Sequence, residues 1–142
     1  MSRAVIDTNI FIRTIIKPLG SVAPIIVRIR EGKFELIYSQ WLLDELKEKL
    51  EARRIKDRYK LSDKQIQELI ETITGFGKEV EPTRTVTVCR DVDDNHVIEA
   101  ALEGNADYVV TGDNDLLSLK QFENIRFIQP KEFLEILDAN AS

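Results

Sequence analysis

Asp7 closes the apolar run Ala4-Val5-Ile6, and Asp113 follows a second apolar run, Tyr108-Val109-Val110-Thr111-Gly112. Each acid stands where a strand runs out. In open parallel sheets, ligands sit beyond the carboxyl ends of the strands. A turn role alone explains either aspartate singly. The pair, at corresponding ends, points to one shared acidic site. Clustered carboxylates repel one another unless a cation binds between them, and an all-oxygen ligand set suits a hard divalent ion.

Two more acids join by their helix positions. Asp94 precedes Val97, Ile98 and Ala101 by three, four and seven residues, so it projects from the core-facing row of its helix. A solvated acid avoids that row. Asp91 and Asp93, beside it, suit capping of the helix start. Glu45 flanks the stripe Leu42, Leu43, Leu46 and Leu50, whereas Asp44 points away from it. Glu45 therefore leans into a cleft or pairs with Lys49 four residues on; pattern alone leaves both readings open. Asp115 is an alternative fourth acid or the cap of a short helix. Thr8, Asn9 and Thr111 offer hydroxyl and amide groups suited to aiming these carboxylates, or to ordinary turn chemistry.

The rest of the chain bounds the chemistry. Its 142 residues, 43% of them apolar, suit one domain over residues 1–142 with a sizeable core. No apolar run is long enough to span a membrane and no secretory signal opens the chain, so a cytoplasmic location is expected. Cys89 is the sole cysteine and His96 the sole histidine. That excludes an internal disulfide, a cysteine metal cluster and a multi-histidine zinc site. A net charge of −5 argues against a surface given over entirely to nucleic acid, but leaves room for a local basic stripe.

The elements that position the acids alternate. Residues 3–6 predict a buried strand, and 8–16 a strand extension or short helix. A break follows at Lys17-Pro18-Leu19-Gly20. Ser21 opens a helix through Glu31 that Gly32 ends. Residues 34–38 predict a second strand, and Ser39 opens a helix through Ala52. Residues 53–61 are the least regular stretch. Ser62-Asp63-Lys64-Gln65 is a capping box before a helix ending near Gly75-Phe76-Gly77. Residues 86–89 predict a third strand, 93–103 a helix stopped by Gly104, 107–111 a fourth strand and 125–128 a fifth, with Pro130 starting a final helix. Strands alternating with helices predict an α/β three-layer sandwich around a mainly parallel sheet.

The ordered set Val5-Ile6-Asp7-Thr8-Asn9, Glu45 on a Leu-rich helix, Asp94 ahead of an Ala-rich helix, and Val110-Thr111-Gly112-Asp113 resembles the PIN domain, most closely the PIN-type toxins of prokaryotic toxin–antitoxin systems. The resemblance covers nearly the whole chain. It implies that Asp7, Glu45, Asp94 and Asp113 are catalytic and hold Mg²⁺ or Mn²⁺, with Thr8, Asn9 and Thr111 supporting them. Here Arg90-Asp91-Val92-Asp93-Asp94-Asn95 packs three acids together, which brings Asp91 and Asp93 into question as further ligands. The implied activity is a metal-dependent endoribonuclease on single-stranded RNA. The implied partners are that RNA, an antitoxin protein and a second copy of the chain; no membrane is among them.

Arg53, Arg54, Lys56 and Arg58, with Tyr59 among them, are candidates to hold RNA phosphates and stack on a base. A solvated helix end reads as well. Arg84 and Arg90 have less support. Trp41, Phe122 and Phe127 read as core, and His96 as an ordinary helix residue. Two competing functions remain. One is a phosphotransferase with Asp7 as nucleophile; such haloacid-dehalogenase-like enzymes usually carry a second Asp two residues on, where this chain has Asn9. The other is a non-catalytic RNA- or partner-binding domain. A GxxxxGK[ST] phosphate loop is absent.

Overall fold

The computed structural model describes residues 1–140. Its centre is β1 (Arg3–Ile6), where Ala4, Val5 and Ile6 are buried in succession. A strand buried on consecutive residues is covered on both faces. Ala4 and Ile6 enter one core and Val5 the other. The neighbours keep the same period of two. Leu36 and Tyr38 of β2 (Glu35–Ser39) join the first core and Ile37 the second. Val110 of β4 (Tyr108–Val110) joins the first and Val109 the second.

With β3 (Lys78–Val80) at one edge, six strands run in the order β3-β2-β1-β4-β6-β5. All pairings are parallel except the terminal hairpin of β5 (Gln121–Phe122) with β6 (Ile125–Ile128). The first core lies under α1 (Thr8–Ile16), α2 (Pro24–Arg30), α3 (Gln40–Glu51), α5 (Asp63–Phe76) and α8 (Pro130–Ala139). Ile10, Ile25, Leu46, Ile73 and Phe133 fill it. The second lies under α6 (Val92–Glu103), through Val97, Ile98, Ala100 and Ala101, and under Leu116 of α7 (Asn114–Leu117). This is the expected three-layer sandwich.

Local signals mostly held. Ser39 caps α3 by accepting from the Leu42 amide. Both halves of the Ser62–Gln65 capping box form. Gly32 ends α2 at φ +68°. Residues 8–16 are helix, because Asp7 turns the chain directly out of β1. The irregular stretch holds one short helix, α4 (Arg53–Lys56). α2 starts at Pro24 with Ala23 in the capping position, so Ser21 is not its cap.

The third strand is a correction. It is β3 (Lys78–Val80), directly after α5, and not residues 86–89. Val86 and Cys89 do pack on the second core, but their backbone amides are taken by helix side chains. Glu103 accepts from the Thr83 amide and hydroxyl at 3.0 and 2.8 Å, Glu99 from the Val86 amide at 2.8 Å, and Asn95 from the Cys89 amide at 2.9 Å. These three residues stand four apart on one row of α6. They fasten segment 81–90 along the helix as a strap. Gly104 also earns a different reason. Its φ of −85° needs no glycine, but a Cβ there would stand 2.5 Å from Ile37 Cγ2. It lets α6 approach β2.

Candidate active site

β1 and β4 are adjacent and in register, with Ile6 opposite Val110. The residues that follow, Asp7 and Thr111, therefore emerge side by side at the carboxyl edge. The Asp7 amide continues the ladder to the Val110 carbonyl at 2.9 Å. The Thr111 hydroxyl donates to Asp7 Oδ2 at 2.7 Å and accepts from the Asp113 amide at 3.0 Å. Asp113 in turn caps α7, accepting from the Asp115 amide at 2.7 Å. The cap is thus Asp113 and not Asp115, which pairs with exposed Arg90 at 3.1 Å.

Asp7 is 6% exposed. Burial raises its pKa above the ordinary carboxylate value, and nearby Glu45 adds to this. The Thr111 hydrogen bond and the charge of Lys49 oppose the rise. Glu45 reaches the same edge from α3. Its Oε1 accepts from the Thr8 hydroxyl at 2.8 Å and meets the Lys49 ammonium at 3.0 Å. Both readings of Glu45 are therefore realised: it leans inward and pairs with Lys49. Asp44 is exposed and bonded to Gln40.

Asp94 sits in the first turn of α6, held by the cap that Asp91 makes to the Asp93 amide at 2.9 Å. Its pKa is pushed up to about 7, first by burial, then by Asp113, Asp91, Asp7 and Asp115. Asp7 thus links two halves of the edge. One half is Glu45 with Thr8, Asn9 and Lys49; the other is Asp94 with Asp113. Asp91 is committed to capping, and Asp93 is exposed. Among the described residues, no three histidine, cysteine, aspartate or glutamate side chains already stand together as a group that could hold a metal ion.

Two observations fit the site to a divalent metal. Every candidate ligand is an oxygen. In addition, Glu45 Oε2 and Asp94 Oδ2 are buried without a hydrogen-bond partner among the described residues. A buried, unpartnered carboxylate oxygen is costly unless something positive meets it. Asp7, Glu45, Asp94 and Asp113 are the residues that would hold the ion.

The basic stretch divides. Arg54 borders a cavity of about 580 Å³ with Trp41, Glu45, Lys49 and Asp93. Lys56 is spent on Glu51 and Asp63, so it stands as a structural cation. Arg58 lies over the Tyr59 ring, 5.4 Å from its centroid, and Arg53 is exposed. Arg84 forms a two-pronged pair with Glu123. Sequence reasoning missed a stack: His96 lies on Trp41 with ring centroids 3.9 Å apart. It also missed that Lys49 reaches Thr8 and Asn9 as well as Glu45. Contacts between helices leave no pattern along one helix, so neither had a sequence signal. The Cys89 thiol is pushed up, chiefly by burial and then by Asp94 and Asp113, which disfavours its thiolate form.

No helix among the described residues is long and apolar enough to cross a membrane. The chain is 33% identical over 141 residues to the uncharacterized protein MJ1680 of Methanocaldococcus jannaschii, covering 94% of this chain and 90% of that one. The PIN domain family matches residues 3–115, a stretch that takes in all four inner acids and the sheet edge that carries them. With that match laid over this fold, the chain belongs to the PIN domain family.

Proposed function

We propose that this protein is a metal-dependent endoribonuclease acting on single-stranded RNA. PIN domains are generally nucleases, commonly metal-dependent ribonucleases. The observation that carries the reading is the pair of buried oxygens, Glu45 Oε2 and Asp94 Oδ2, left without partners at the acid edge.

Bound there, Mg²⁺ or Mn²⁺ would lower the pKa of a water and neutralise charge developing on the phosphate in an in-line displacement. The chain's own part is positioning. Thr111 holds Asp7 and Thr8 holds Glu45, so the two carboxylates are oriented before any ligand arrives. The Asp91 cap and the strap hold the first turn of α6, and with it Asp94. Asp94 would have to give up its proton to hold such a cation. Arg54 and exposed Arg53 offer charge to the RNA backbone beside the acids. Asp7 suits a nucleophile poorly, because it is buried with one oxygen tied to Thr111.

The test is cleavage of a labelled single-stranded RNA with Mn²⁺ or Mg²⁺. The reading expects cutting that chelator abolishes; cutting that persists in excess EDTA refutes it. The role of toxin in a toxin–antitoxin pair rests on the resemblance to PIN-type toxins. It expects growth arrest on expression, relieved by an antitoxin from a neighbouring gene.

A further inference from the structure

Lys49 follows Glu45 by four residues on α3, so the two side chains share one helix row. An ordinary surface pair of this kind leaves its carboxylate largely in water. Here the Glu45 side chain is only 16% exposed. The Lys49 ammonium lies 3.0 Å from Glu45 Oε1, 3.3 Å from Asn9 Oδ1 and 3.4 Å from Thr8 Oγ1. One cation thus meets three oxygens, one on α3 and two at the start of α1, next to Asp7. It stands against the same carboxylate whose other oxygen, Oε2, is buried without a partner among the described residues. Lys49 also borders the cavity of about 580 Å³ shared with Trp41, Glu48 and Arg54. A flexible four-carbon stem beside that cavity has room to withdraw.

We propose that Lys49 is a tethered counter-ion that competes with divalent metal for Glu45. Its ammonium neutralises and aims the carboxylate until a metal takes it, then withdraws into the adjoining cavity. The inference rests on the metal-site reading above and deepens it: a residue that never coordinates sets the metal affinity. Two consequences follow from charge alone. Without the ammonium, the acid edge of the chelated protein carries more uncompensated negative charge and is less stable. Metal then binds more tightly, because no ammonium has to be displaced.

The experiment measures Mn²⁺ affinity by calorimetry for the wild-type protein, Lys49→Met, Glu45→Gln and the double variant. Lys49→Met keeps the apolar stem and removes the charge. It is expected to bind Mn²⁺ about twofold to fivefold more tightly, the range set by a partly exposed ion pair. It should also melt earlier in chelator and show the larger Mn²⁺ shift. In the Glu45→Gln background the effect of Lys49→Met on affinity should vanish. Equal or weaker Mn²⁺ binding by Lys49→Met overturns the proposal. So does a gain of the same size with and without the Glu45 carboxylate, since that is charge repulsion without exchange. If Lys49→Met fails to fold, Lys49→Gln carries the same comparison. Failure of the wild-type protein itself to bind Mn²⁺ removes the metal-site reading, and the inference with it.

Discussion

Thr111 and Asp7 stand 104 residues apart in the chain and 2.7 Å apart in the fold, hydroxyl to Oδ2. Because Thr111 also accepts from the Asp113 amide, one hydroxyl fixes a carboxylate just after β1 and the loop that carries another after β4. Thr111→Val removes this junction while keeping the branched shape. The expected result is a 10- to 100-fold loss in metal affinity or activity, about what such supporting partners contribute. The Asp7 pKa should rise further, since a hydrogen bond that lowers it is gone. Carboxyl titration followed by NMR, beside Mn²⁺ binding, measures both.

The raised pKa values give stability a definite pH dependence. Burial and the neighbouring acids push Asp94 from an ordinary value of 3.8 up to about 7 in the folded chain, and burial also raises Asp7. Between those values the native state holds more protons than the unfolded chain. The stability these groups contribute is therefore present at low pH and lost as pH rises toward 7. Melting curves in chelator should show it increasing from pH 7 down toward pH 5. Mn²⁺ at neutral pH should restore the loss by mass action, releasing protons as it binds. Asp94→Asn should raise the neutral melting temperature in chelator by a few degrees, roughly what about 1 kcal/mol supplies in a chain of this size. It should also shrink the Mn²⁺ shift. A lowered melting temperature with an unchanged shift would detach Asp94 from the site.

Neighbouring acids on α3 should behave in opposite ways. Glu45 is aimed inward by Thr8, whereas Asp44 is exposed and bonded to Gln40. Glu45→Gln should remove most metal-dependent cleavage, and Asp44→Asn should leave it within about twofold, as for a surface change away from the chemistry. Equal damage from both would move the metal to the outer face of the helix.

Period and charge made much of this legible in advance. The apolar runs of β1, β2 and β4 and the core-facing row of Asp94 each carried their element to its place. The 86–89 segment defeated the same reasoning. Its apolar, β-branched residues read as strand, but the amides of Val86 and Cys89 go to the side chains of Glu99 and Asn95 on a helix. β-propensity reports a half-buried extended chain, not what satisfies its amides. Lys56 carries a related ambiguity: a run of cations reads alike whether it faces RNA or pairs with acids, as Lys56 does with Glu51 and Asp63.

Arg54 and Lys56 therefore separate in their effects. Arg54→Ala should weaken RNA binding across sequences and flatten its salt slope by about one unit, as expected for a lost phosphate contact. Lys56→Ala should leave the slope unchanged and lower the melting temperature slightly. Filter binding across a salt series, with a non-cleavable RNA, distinguishes them. If Lys56 changes the slope and Arg54 does not, the RNA runs on the other side of α4.

The central claim is that Asp7, Glu45, Asp94 and Asp113 form one divalent-metal site at the carboxyl edge of β1 and β4. Anomalous diffraction from a crystal soaked in Mn²⁺ tests it most directly. A Mn²⁺ peak is expected beside Asp7 at this edge, in contact with Glu45 Oε2 or Asp94 Oδ2, two buried oxygens without partners among the described residues. A saturating soak that leaves both oxygens without metal, or places the ion away from Asp7, contradicts it.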